Sequence, residues 1–336
     1  MSNKILTIGI SALFALLLVA CGNQDEANKA AQIATTGDPA IDKVSREIEQ
    51  NPDDPTLYAA RAGLFYEKEG YDEAIADLQR ALSMDSTNVD YLHLLADAYL
   101  DYYKSRKALE TMKRAAELYP ERIPTLLKLS EFQLILKRHE ESMRTIDQVL
   151  RIDPQNPDAY LMFGMNFKEL GDTIRAINSF QKSVEYDSDM IDSWINLGQL
   201  HAAIGSGMAE RFFDNAIMIA PQNVEALHAK ADYLQDQGDL TGAIELYKQI
   251  VMTDRQYEEA YFNAGLLYLD LDSLARAERQ FDLAIQVNPT FTSAYYYRGV
   301  AAELQGNLAQ AKADYEQTLR LAPDFQEAEA ALRQLQ

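Results

Sequence analysis

The sequence predicts an all-α protein, an α-solenoid of about eight helical hairpins with terminal capping helices. Two observations carry this. Residue size recurs at a fixed interval of 34 from Pro55 onward, and two columns within that interval hold only small side chains. Self-similarity at such a period marks stacked supersecondary units, none of which can bury its apolar face alone.

In chain order, the first element is a charged start at Lys4 followed by an apolar run from Ile5 to Ala20. That run has the length of a secretory h-region and falls short of the roughly 20 residues of a spanning helix. Residues 1–20 are expected to be a signal peptide. Its end, Leu18, Val19, Ala20 and Cys21, resembles the lipobox of bacterial lipoproteins. The resemblance implies that Cys21 receives a lipid and becomes the first mature residue. Acyl chains add about 0.8 kcal/mol per buried CH₂, so several of them hold a protein to a membrane where one would not. Gly22 stands where an aspartate would retain an enteric-type lipoprotein in the inner membrane, so the resemblance favours the outer membrane. Gln24, Asp25 and Glu26 loosely resemble acidic surface-export signals, which leaves the membrane face open.

Residues 21–40 are polar and alanine-rich and read as a tether, since few large apolar groups are present to fold them. Ile41 to Gln50 reads as a leading cap helix, the second helix of a degenerate repeat, with residues 41–54 closed by Asn51 and Pro52. The repeats proper run over residues 55–325, and residues 326–336 continue the phase of a first helix as a C-terminal cap.

Counting each repeat from Pro55, with one residue deleted near Ser206, the eighth position reads Ala62, Ala96, Ser130, Gly164, Gly198, Ala231, Gly265 and Gly299. The twentieth reads Ala74, Ala108, Ser142, Ala176, Ala209, Ala243, Ala277 and Ala311. Small residues on both helices of a hairpin let the backbones approach. Large residues flank them. The twenty-fourth position holds Leu78, Met112, Ile146, Phe180, Phe213, Tyr247, Phe281 and Tyr315. Turn glycines such as Gly171 and Gly238, and prolines such as Pro154 and Pro289, punctuate the helices.

The pattern resembles the tetratricopeptide repeat, on Tyr160, Phe163, Gly164, Phe167, Ala176 and Phe180 in one unit and on Tyr261, Gly265, Tyr268, Ala277, Phe281 and Pro289 in another. The resemblance implies a right-handed superhelix whose inner face binds other proteins. It also implies that the binding stripe is the fifth, ninth and twelfth positions of each first helix. Those are Leu127, Glu131 and Leu134; Leu161, Met165 and Lys168; Ile195, Gln199 and Ala202; Phe262, Leu266 and Leu269; and Tyr296, Val300 and Glu303.

Apolar residues on a face that hairpin packing does not need suggest a groove for an extended peptide or a helix. The alternative is that curvature, the tether or a second copy covers them. Acids including Asp97, Asp101, Asp232 and Asp270 flank the stripe, so a neutral or basic partner with an apolar anchor is expected. Lysines that grip a peptide carboxylate in chaperone-tail binders are absent from the fifth position, which disfavours that ligand class.

The net charge of −21 excludes a nucleic-acid binder, which needs clustered Lys and Arg. A single cysteine excludes an intramolecular disulfide and a cysteine-rich zinc site. His93, His139, His201 and His228 fall in different repeats, with no pair at the spacing of a helical zinc site, so neither metal nor cofactor is expected. His201 sits in a column otherwise filled by Phe65, Tyr99, Phe167 and Tyr268 and reads as core, whereas His93 and His228 read as surface groups. Gly205, Ser206 and Gly207 lack the strand and the Lys of a phosphate loop and read as a shortened turn. No nucleophile and base recur at suggestive spacing, and no enzyme is expected. The reading is therefore an anchored envelope scaffold or adaptor for partner proteins. A surface carrier for secreted polypeptide or polysaccharide is the alternative.

Overall fold

The computed structural model describes residues 36–335, so the signal-peptide, Cys21 and tether readings lie outside it. The chain divides into two compact units, one ending at Tyr119 and the other beginning at Pro120. Among the described residues there are helices and no strands.

The first unit holds α1 (Pro39–Gln50), α2 (Pro55–Tyr66), α3 (Tyr71–Met84), α4 (Val89–Asp101) and α5 (Ser105–Leu118). The leading helix starts two residues earlier than the pattern suggested. The Asp38 carboxylate accepts the Ala40 and Ile41 N–H groups at 2.8 and 3.1 Å, and Pro39 takes the first helical position, where its missing N–H costs nothing. Asp54 before Pro55 repeats the device. Each helix packs on the next, and Ala62, Ala74, Ala96 and Ala108 of the small columns are fully buried, as are Leu78 and Met112.

The second unit holds α6 (Ile123–Ile135), α7 (His139–Ile152), α8 (Pro157–Glu169), α9 (Thr173–Tyr186), α10 (Ile191–Ala203), α11 (Ala209–Ile219), α12 (Val224–Asp236), α13 (Leu240–Thr253), α14 (Glu258–Asp270), α15 (Leu274–Val287), α16 (Thr292–Leu304), α17 (Leu308–Leu321) and α18 (Gln326–Gln334). Successive pairs are hairpins, and α18 closes the end with Ala328 buried beside Tyr315. The missing residue of the fifth repeat is not a shortened turn. The connection Ile204–Met208 is longer than its counterparts, and the loss falls on α11, which has 11 residues where α9 and α13 have 14.

Glycine in the eighth column answers to an aromatic ring in the twenty-fourth. A Cβ built on Gly164, Gly198, Gly265 or Gly299 would lie 2.5 to 2.7 Å from the ring of Phe180, Phe213, Phe281 or Tyr315. Where the partner is Leu78, Met112 or Ile146, the eighth residue is Ala62, Ala96 or Ser130. Ala231 opposite Tyr247 is the exception, and that ring is turned edge-on to His228, its hydroxyl donating to Asp232 at 2.7 Å.

The seventh column carries paired charges at both ends of the array. Arg61 donates twice to Asp77, at 2.7 Å each, and once to Ser45 on the preceding helix. Arg298 repeats this with Asp314, at 3.0 and 2.5 Å, and with Asp282 on the preceding helix at 2.6 Å. One arginine thus clamps its own repeat and the one before it, which pins their register as well as their charge.

Candidate peptide-binding groove

Adjacent first helices α6 and α8 leave an open cleft of about 800 Å³ between them, lined by Ile123, Pro124, Leu127, Lys128, Glu131, Asn156, Asp158, Leu161 and Met162. Counted within each repeat, its walls come from the first, second, fifth, sixth and ninth positions together with the N-cap Asn156, a stripe at helical spacing. The expected stripe was the fifth, ninth and twelfth. The structure therefore brings together Leu127, Glu131 and Leu161 of the residues singled out from sequence, and shifts the open face one turn towards the helix starts.

Two expected contacts are corrected. Ile195 is 1% exposed and sealed against Ala216 and Ala226, so it supports the wall without offering a surface. Leu134, at 7% exposure, belongs to the core as well. Leu161 and Met165 are half-buried against the cluster around Phe180 and Leu197. In the last repeats the covering alternative holds in part. Phe262 packs against Phe281, Phe291 and Tyr297 with ring centroids 4.8 to 5.8 Å apart, and Tyr296 packs on Tyr315 and Phe325. Leu266 and Leu269 lean on the same core, and Val300 on that of the final repeat. These apolar side chains are half spent on joining neighbouring repeats.

A second opening, of about 400 Å³, uses the same stripe of the sixth repeat: Val224, Glu225, His228, Ala229 and Asp232, with Gln199 and Tyr257 from either side. Here the chemistry is acidic where the first cleft is apolar. His228 is not the plain surface group the sequence suggested. Its Nδ1 lies 2.8 Å from the Tyr257 hydroxyl, its Nε2 3.4 Å from Asp232 and 3.2 Å from the Asn263 amide nitrogen. Asp232 stands one helical turn away, but Tyr257 and Asn263 are 29 and 35 residues away, so the sequence around His228 does not announce the full set.

Between the openings, the Lys168 ammonium donates to Asn196 Oδ1 at 2.6 Å and Gln199 Oε1 at 2.8 Å. Burial holds its pKa below the ordinary lysine value, and the Glu225 carboxylate pulls the other way. In the first cleft, burial followed by the neighbouring Asp187 charge raises the Asp158 carboxyl above the usual range. No group of His, Cys, Asp and Glu among the described residues is placed to hold a metal ion.

His201 lies outside both openings. Its ring sits 4.8 Å from that of Phe212, and neither nitrogen has a hydrogen-bond partner. Burial depresses its pKa below 6.5. The unfolded chain therefore binds a proton that the folded one refuses, and the contribution to stability is lost as pH falls below about 6.5. His201→Phe is expected to add about 1 kcal/mol at pH 7.5 by removing an unsatisfied buried group. It should gain further on wild type at pH 5.5, as read from urea midpoints at the two pH values.

Models of the tetratricopeptide repeat match residues 157–190, 234–304 and 292–325, and a further repeat model matches residues 62–101. The hairpins over those residues are tetratricopeptide repeats. Proteins built of such repeats generally mediate protein–protein interactions and bind peptide partners. Among curated proteins, the chain is similar to the human protein O-mannosyl-transferase TMTC3, 23% identical over 63% of this chain and 24% of that one. It is also similar to the BBSome complex member BBS4 of Bos taurus, 22% identical over 74% of this chain and 54% of that one. The tetratricopeptide chain thus spans between a quarter and about half of these relatives, and the likeness is to their repeats. Among solved structures, the APC/C hetero-tetramer Cut9–Hcn1 superposes with a TM-score of 0.52 at 16% identity, over 88% of this chain and 58% of that one, which supports the solenoid fold.

Proposed function

We propose that this tetratricopeptide chain is a scaffold of the bacterial envelope, held to a membrane by lipid on Cys21, that grips a segment of another protein and catalyses nothing. The observation that carries the binding role is the cleft between α6 and α8, open to solvent and floored by Ile123, Leu127, Leu161 and Met162. An apolar floor rimmed by Lys128, Glu131 and Asp158 suits an apolar anchor on an extended or helical peptide, with polar groups left to fix its direction. The acidic opening on the same stripe favours a neutral or basic remainder. The anchor is supported by the sequence around Cys21, and the outer membrane by Gly22.

Pull-downs from envelope extract with the wild-type body and with Leu127→Glu plus Leu161→Glu test the cleft. Both side chains are half-buried at its wall and outside the fully buried core, so the variant should keep its helical circular dichroism. Loss of a partner at least tenfold in the variant alone is the expected result, since an introduced carboxylate must be desolvated to dock. Equal recovery by both proteins would remove the cleft from the account. For the anchor, Cys21→Ala should move the protein from the membrane to the soluble fraction, and retention with membranes would contradict it.

A further inference from the structure

We propose that the edge of the first unit formed by the turns joining α2 to α3 and α4 to α5 rests against the phospholipid surface to which the chain is tethered. The proposal rests on the Cys21 anchor and is separate from the partner cleft. Three observations on that edge point to a lipid surface.

The first is a tyrosine platform. Tyr71 and Tyr102 stack at 5.7 Å, Tyr66 meets Tyr71 edge-on at 6.0 Å, and the Lys104 ammonium lies 3.9 Å over the Tyr102 ring. The Tyr66 and Tyr102 hydroxyls donate hydrogen bonds to Asp101 and Asp72, carboxylates that are thereby occupied. Tyrosine presents an apolar body and a polar tip, the combination that gathers at the level of lipid headgroups.

The second is Tyr103. It is 93% exposed, the most exposed large hydrophobic side chain among the described residues, and it adopts a φ of +57°. The equivalent turn residue is Gly171, Gly205, Gly238 or Gly306 in four other repeats and the polar Glu69, Lys137 or Asp272 in the remaining three, so Tyr103 is the one aromatic in this column. A bulky aromatic there is strained and gains no internal packing in return, so folding gives no reason for it.

The third is where the chain enters. Asp38, two residues from the first described residue, is bridged at 2.8 Å to Lys68 in the turn between α2 and α3. The described chain therefore begins beside the tyrosine edge. Fourteen residues lie between Cys21 and Thr36, and the fifteen steps at about 3.4 Å each limit that edge to roughly 50 Å from the lipid. Lys68 and Lys104 are each paired with a carboxylate, Asp38 and Asp72, so the contact is one of aromatic side chains with the headgroup layer and not of free charge with lipid phosphate.

The chain from Cys21 onward, which keeps every described helix, would be coupled through its only thiol to phosphatidylcholine vesicles containing maleimide-headgroup lipid and brominated acyl chains. Tyr103→Trp in a Trp194→Phe background reports the edge, and Ser86→Trp in the same background reports the exposed loop at the other end of α3. The expected result is blue-shifted, bromine-quenched emission from the first reporter and unquenched emission from the second. No quenching of the Tyr103 reporter, or equal quenching of both, overturns the proposal. Should Trp194→Phe unfold the chain, hydrogen exchange of the unsubstituted protein at Tyr102–Lys104 decides. Slower exchange on coupling supports the contact, and unchanged exchange overturns it. The chemical coupling does not depend on natural acylation, which the mass of the N-terminal peptide from cells reads separately. An unmodified Cys21 there overturns the anchor and with it the proposal, whatever the vesicles show.

Discussion

Replacing Asp314 by alanine is expected to cost about 3–5 kcal/mol, because it leaves the Arg298 guanidinium buried without its main carboxylate. The Asp314 side chain is 3% exposed and that of Arg298 17%, so water can do little to screen the loss. Burial alone would lower the arginine's pKa, but the hydrogen bonds and charges of Asp314 and Asp282 hold it above its ordinary value. Removing both partners, as Arg298→Met with Asp314→Leu, should return most of the stability, since a buried pair and a well-packed apolar substitute are often close in free energy. In a stacked array the damage is local before it is global. Hydrogen exchange should therefore show α16, α17 and α18 opening in the single variant while α6 to α9 keep their protection. A loss under about 1 kcal/mol in urea unfolding would mean that the clamp is decorative.

Gly164→Ala is expected to destabilise by about 2–3 kcal/mol, the range of overpacking in a tight core. Helix propensity alone predicts the opposite, a gain of about 1 kcal/mol. The decision between them is geometric: the new methyl would stand 2.5 Å from the Phe180 ring, a distance no pair of carbons tolerates, and the ring is fully buried with no room to retreat. Phe180→Leu alone should cost about 1–2 kcal/mol through lost volume. Combined, Gly164→Ala and Phe180→Leu should be more stable than the sum of the single changes, because the pair reproduces the Ala62–Leu78 combination of the first repeat. Urea unfolding of the four proteins completes the cycle. Stabilisation by Gly164→Ala would show that α8 and α9 do not approach as closely as described.

The repeat frame was legible because the eighth, twentieth and twenty-fourth columns record side-chain volume directly, and volume is what a close helix crossing selects. The pairing of glycine with an aromatic ring was also present in those two columns. So were the clamps, since Arg61 and Asp77, like Arg298 and Asp314, stand 16 residues apart at matching positions. The groove was harder. Whether the ninth or the twelfth residue of a first helix faces open space depends on how the next first helix crosses it, and no single repeat encodes that angle. Hence Leu127, Glu131 and Leu161 of the expected stripe line the cleft, Pro124, Asp158 and Met162 line it without having been singled out, and Ile195 and Leu134 lie in the core. His228 was missed because two of its partners, Tyr257 and Asn263, are 29 and 35 residues away. The lipid anchor rests wholly on residues before Thr36, and no helix of the described residues is long and apolar enough to cross a membrane.

The central claim, that the cleft between α6 and α8 holds a partner protein, is tested most directly by photocrosslinking in cells. A benzophenone amino acid would be placed at Leu127, at Leu161 and, as the control, at exposed Arg144 on α7. The account predicts one and the same adduct from Leu127 and Leu161 and none of that mass from Arg144. Adducts from Arg144 alone, or unrelated adducts from the two cleft positions, would contradict it.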